Sequence, residues 1–163
     1  MSDVATHEVT DATEDFGREL GVLLRSYRDK VAPVLSDFPQ GSRGYQTLCE
    51  VVNGQQPSQL ALANRLGIDR TVMTYLVDDL EQAGLVQRRP NTQDRRQRQV
   101  VATPKGRATL ATLCAQVGEA EDAILGALDE AERAIFRRLL NKATRGGEGL
   151  DDPCEALTDG SAP

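Results

Sequence analysis

The chain has 163 residues, about one domain's worth, and two large independent domains are excluded. Its hydrophobic content of 39% can supply a core, but only 4% is aromatic and tryptophan is absent, so a mainly helical protein with a core of Leu, Val and Ala is expected. Nineteen Lys and Arg against 25 Asp and Glu leave a formal charge of -6, which argues against coating polyanions over the whole surface but leaves room for a local basic patch.

Chemistry is bounded as well. The one histidine, His7, sits in a polar N-terminal segment, so a His-rich zinc site or a Ser-His-Asp triad has no material. Cys49, Cys114 and Cys154 show no paired spacing and an odd total, which predicts no disulfide framework. No catalytic residue, metal or cofactor is therefore assigned. The opening MSDVATHEVTDATED has no basic region or apolar core, and no stretch approaches the ~18 apolar residues of a membrane span, so a cytoplasmic protein without a membrane partner is expected.

Residues 1 to 12 lack any apolar period and are expected to form a disordered tail. Between about 13 and 36, Phe16, Leu20, Leu23, Leu24, Tyr27, Val31 and Leu35 recur at spacings of three and four, which stacks them on one face of a long helix that Pro33 tightens or ends. From about 42 to 53, Tyr45, Leu48, Cys49 and Val52 repeat the pattern, and Asn53-Gly54 stops it. Ser58 is placed to cap a short helix that buries Leu62, Ala63 and Leu66 and ends at Gly67. Asp69 caps the next, in which Met73, Leu76, Val77 and Leu80 face inward, leaving Arg70, Thr71, Thr74, Tyr75 and Asp78 outward.

After Gly84 the period becomes extended. Residues 85–89 and 98–102 flank the polar PNTQDRRQ and predict a two-stranded hairpin with a long tip. Thr103 caps a new helix with Pro104 at its first position, carrying Leu110, Leu113, Val117, Ala120, Ile124 and Leu128. Asp129 and Glu132 form a capping box for a last helix with Ile135, Phe136, Leu139 and Leu140. Residues 146–163 are expected to be a disordered acidic tail, in which Cys154 has no assigned role.

Helix, short helix, tight turn, helix and basic hairpin is the order of a winged helix-turn-helix: the second helix of the pair fits a DNA major groove, about 12 Å wide, and the hairpin reaches the backbone or minor groove beside it. Residues 58–107 hold nine Lys and Arg against five acids, a net of +4, while the remainder carries -10. Within 88–107 the split is seven bases to one acid, where phosphate contacts would give salt-dependent affinity. Asp94, two residues before Arg96, could hold that guanidinium ready-shaped for a narrow minor groove.

The run from Leu60 to Arg107 resembles the winged helix-turn-helix of MarR-type transcription regulators. The matching elements are Leu62-Ala63 to Gly67, Thr71 with Thr74, Leu80-Glu81 to Arg88, Asp94 with Arg96, and Thr103 to Gly106; the flanking helices extend the likeness over about 14–145. Tyr75, where the family often has a basic residue, and Ala102, where Leu is usual, depart from it. The resemblance implies about six helices plus a two-stranded wing. It also implies dimerisation through helices at 13–38 and 104–145, a DNA-binding lobe at 42–103, and a homodimeric repressor on a pseudo-palindromic operator of double-stranded DNA. The sequence independently asks for a partner, because the apolar stripes of the flanking helices outrun what a wing domain of about fifty residues can cover.

On this reading Arg70, Thr71, Thr74 and Tyr75 meet the major groove, Arg96 with Asp94 the wing-tip groove, and Arg88, Arg89, Arg95 and Arg98 the phosphates. The resemblance further implies release by a small aromatic or anionic effector between the dimerisation helices and the lobe, where Arg25, Tyr27, Arg28 and Tyr45 offer contacts. The competing reading is a winged-helix dimer acting as a protein-protein adaptor, favoured by Tyr75 and Asp78 and opposed by the intact basic wing. An enzyme ranks third, since Asp78, Asp79 and Glu81 run around an exposed helix instead of converging.

Overall fold

A computed structural model describes residues 15–54, 57–91 and 98–145. In chain order they form α1 (Asp15–Val31), α2 (Gly41–Asn53), α3 (Gln59–Leu66), α4 (Arg70–Gln82), β1 (Val86–Pro90), β2 (Arg98–Ala102), α5 (Pro104–Ile124) and α6 (Glu130–Arg145). This is the expected mainly helical winged architecture. Among the described residues, no helix is long and apolar enough to cross a membrane.

The first helix is shorter than its periodicity suggests. Helical hydrogen bonding gives way after Val31 to a run of turns, in which Leu35 N–H reaches both Val31 and Ala32 and Ser36 N–H reaches Pro33. Pro33, lacking an N–H, is the physical cause of the early end. The connector then turns through Gln40 and Gly41, with φ of 60° and 54°. Gln40 is the only non-glycine residue described at positive φ, and its side-chain amide donates to the Asp79 carboxylate on α4.

The short helices begin where the sequence places their caps. Ser58 Oγ accepts from Ala61 N–H at 3.2 Å, Thr103 Oγ1 accepts from Gly106 N–H at 3.0 Å, and Asp129 and Glu132 bond each other's backbone N–H at 2.9 Å. Gly67, at φ 62°, supplies the left-handed residue that closes α3.

β1 and β2 pair antiparallel, Val86 opposite Ala102 and Pro90 opposite Arg98. The segment before α3 joins this sheet through Val100 N–H to Pro57 C=O at 2.9 Å and a bridge from Ser58 to Gln99. Leu48, Leu62, Met73, Leu76, Val77, Leu80, Val86, Val100 and Leu110 fill one core between the helices and the wing base.

The apolar stripe of α1 divides. Val31 and Leu35 enter this core, whereas Phe16, Leu20 and Leu24 at successive turns remain 71%, 48% and 47% exposed. On α6, Ile135, Leu139 and Leu140 are likewise exposed. Arg133 and Arg137 pair with Asp122, and Arg137 also with Glu121, which fixes α6 to the end of α5.

Candidate nucleic-acid interface

α4 carries the candidate recognition residues on the side that its buried apolar positions leave open. Met73, Leu76, Val77 and Leu80 are fully buried, so Arg70, Thr71, Thr74 and Tyr75 fall on the exposed side. Asp69 starts the helix by accepting from Thr71 N–H at 2.8 Å and Val72 N–H at 3.4 Å. These backbone donors hold its carboxyl below the ordinary carboxylate range.

Thr74 is engaged within the lobe. Its Oγ1 donates to the Arg70 carbonyl at 2.9 Å and accepts from Gln59 Nε2 at 2.6 Å. Gln59, the first residue of α3, turns its oxygen to Arg88 Nη2 at 3.3 Å.

Arg88 has partners within the lobe. Its guanidinium lies against Asp78 at 2.6 Å and Glu81 at 2.5 Å, with the side chain only 16% exposed. Glu81 also accepts from Arg88 N–H at 2.8 Å. Arg88 thus ties the wing base to α3 and α4. The same contacts revise the carboxylates: Asp78 and Glu81 do converge, but on an arginine. Asp78 thus has a role within the lobe, which removes one of the two observations that favoured an adaptor.

Arg89 and Arg98 are exposed on the paired strands. Asp94, Arg95 and Arg96 lie outside the described residues, as does Cys154. Sequence reasoning missed Gln59 and Leu60. Both adjoin the Ser58 cap and, with Arg70 and Thr74, line a cleft of about 210 Å³.

The four residues expected to border an effector site divide between surface and core. Arg25 and Arg28 are exposed on α1, and Tyr27 is half-buried. Tyr45 is buried, its hydroxyl 3.6 Å from Cys114 Sγ. Burial raises the Tyr45 phenol well above its ordinary range, and burial followed by the Glu121 carboxylate raises that of Tyr27, so both stay neutral. Cys114 is disulfide-bonded, against the expectation from cysteine spacing, and Cys49 is buried. Separation along the chain does not report separation in space. A second cleft, about 380 Å³, lies at the α3–α4 turn and is lined by Arg43, Gln46 and Val72 among others. Neither cleft is lined by Arg25, Tyr27, Arg28 or Tyr45.

Residues 45–97, which run from within α2 through α3, α4 and β1 to the residue before β2, match the model of the MarR family. This stretch is similar to MarR-family proteins. A Thauera aromatica protein named as a transcriptional regulatory protein for the hcr operon is 32% identical over 101 residues, 62% of this chain and 61% of that protein. The chain thus aligns with less than two thirds of that relative's length.

Solved MarR-family structures share the fold. Wild-type MarR from E. coli superposes with a TM-score of 0.67 at 24% identity, covering 78% of this chain and 96% of that one. A MarR-family regulator from a Rhodococcus species gives 0.69 at 23% identity, covering 83% and 98%. Bordetella bronchiseptica BpsR, whose DNA binding is regulated by 6-hydroxynicotinic acid, gives 0.68 at 21% identity, covering 83% and 96%.

Proposed function

We propose that the chain is a homodimeric transcription regulator, a repressor, that binds a pseudo-palindromic DNA operator and is released by a small aromatic or anionic ligand. It acts without catalysis, and in the cytoplasm. The observation that carries this reading is the exposed polar quartet Arg70, Thr71, Thr74 and Tyr75 on α4, joined through Arg88 to the base of an arginine-rich hairpin. Arg89, Arg95 and Arg98 meet phosphates, and Arg96, steadied by Asp94, enters the minor groove at the wing tip. Arg88 positions the wing. The matched family supports DNA as the partner. The regulation of BpsR by a small aromatic acid supports an effector of that class, for which Arg25 and Arg28 offer cations and Tyr27 a neutral phenol; Tyr45 serves that site as packing.

The experiment is a titration of duplex DNA, selected from a random pool, at two salt concentrations. Affinity is expected to fall steeply with salt, and Arg96→Ala to weaken binding by about 1 to 3 kcal/mol. A protein indifferent to duplexes at low salt would overturn the reading, and unchanged affinity in Arg96→Ala would remove the wing-tip contact.

The uncovered halves of the α1 and α6 stripes support the second copy, since an obligate interface of about 2,000 to 5,000 Å² accommodates them. Recognition helices are then about one helical turn, ~34 Å, apart, which sets half-sites about 10 bp from each other. A Leu20→Glu, Leu139→Glu double variant is expected to sediment as a single chain where the parent sediments as two. A parent that is already monomeric, or a variant still paired, would count against these faces.

A further inference from the structure

The outward surface of Thr74 has a fixed polarity. A threonine hydroxyl has one proton and two lone pairs. The proton goes to the Arg70 carbonyl at 2.9 Å, and one lone pair takes the Gln59 amide at 2.6 Å. Gln59 is held in that sense because its oxygen accepts from Arg88 at 3.3 Å, and Arg88 is in turn gripped by Asp78 and Glu81. The chain of hydrogen bonds runs one way, from the guanidinium to the α4 backbone. Thr74 therefore has no proton to offer a base, and the guanine edge in the major groove, which presents only the acceptors N7 and O6, gains nothing from it.

What Thr74 retains outside this chain of hydrogen bonds is one lone pair, open to a base amino group, and its γ-methyl. Beside it, across the same cleft of about 210 Å³, stands Leu60, a leucine 45% exposed on the exterior of a helix-turn-helix. Leu60 and Thr74, each with an apolar group, line one small recess whose other two lining residues, Gln59 and Arg70, are polar. Among the groups a duplex displays in its major groove, only the thymine 5-methyl is apolar.

We propose that Leu60 and the Thr74 methyl form a thymine-methyl subsite, with Arg88 and Gln59 as positioning residues that keep the Thr74 hydroxyl turned away from the base. The inference rests on the DNA-binding reading above and adds to it a base identity in each half-site. Arg70, lining the same cleft, stays available for the neighbouring phosphate or guanine.

The test replaces atoms of the DNA before those of the protein. Duplexes selected by the full-length chain from a random pool are remade with uracil in place of one thymine at a time, which deletes the 5-methyl and preserves base pairing. One thymine per half-site is expected to be sensitive, with affinity falling about fourfold, the effect of leaving one buried methyl unmatched. Leu60→Ala and Thr74→Ser are each expected to bring the thymine-to-uracil ratio at that position towards one. Thr74→Val, which keeps the methyl and removes the hydroxyl, is expected to preserve it. Selected duplexes with no uracil-sensitive thymine overturn the subsite alone, as does a ratio unchanged in both Leu60→Ala and Thr74→Ser, or one lost in Thr74→Val. A chain that recovers no duplex from the pool overturns the DNA-binding reading and the subsite together.

Discussion

Gly106→Ala is expected to lower stability by about 3 kcal/mol or more. A Cβ at this position would stand 2.0 Å from the Leu85 carbonyl oxygen and 2.9 Å from its carbon. Neither side can retreat easily. The same carbonyl accepts from Thr103 N–H at 3.0 Å and from Thr103 Oγ1 at 3.2 Å, and Thr103 also donates to Gly84 C=O at 2.7 Å while capping α5. Relief of the clash would have to break the knot that joins the end of α4, the wing and the start of α5. Urea and thermal midpoints measure the loss; a thermal midpoint within about 2 °C of the parent would mean that the Leu85 backbone yields freely.

Arg88→Ala is expected to cost about 1 to 2 kcal/mol of stability and to weaken operator binding without changing its salt dependence. Its two carboxylate partners are 52% and 38% exposed, so water screens what the substitution leaves behind, and the penalty stays below the roughly 3 to 5 kcal/mol of a fully buried pair. Binding suffers because the wing base and the Gln59–Thr74 pair lose their common anchor, while no phosphate contact disappears. By contrast, Arg98→Ala is expected to reduce the logarithmic salt slope by about one. Arg88→Lys is not a rescue, since an ammonium cannot reproduce the planar fork that meets both acids. A slope reduced by one in Arg88→Ala would return this arginine to the phosphate backbone.

Much of the architecture was legible because caps and periodicity agree. Ser58, Asp69 and Thr103 are hydroxyl or carboxylate side chains directly ahead of apolar-periodic runs, and each accepts the backbone N–H expected of it. The inward set on α4 was readable for the same reason. The T-x-x-G signature has a physical content that pattern alone does not express: the threonine caps α5 while the glycine permits contact with Leu85.

The charges were harder to place. An arginine in a basic hairpin reads as a phosphate ligand, yet strand alternation held the clue that Arg88, two residues beyond buried Val86, points to the same side as the core. Asp78 and Glu81, three apart on α4, supplied the matching acids. What sequence could not show is distance across the fold: that Gln59 meets Thr74, or that Leu60 shares a recess with it, follows only once α3 and α4 are packed. The α1 stripe was correctly read as apolar, but periodicity does not say which half is covered by its own chain.

The corner between α1 and α2 has a mechanical consequence. Gln40 and Gly41 turn it through two successive left-handed residues, Gly41 N–H closes it onto Phe38 C=O at 2.8 Å, and the Gln40 amide latches it to Asp79. Such a joint has little slack to absorb bending. Tilting the first helix would therefore carry α4 with it, much as a crank turns its shaft, and on the proposed reading an effector that tilts α1 would need no loosened hinge to swing the paired α4 helices out of step with the grooves they fit.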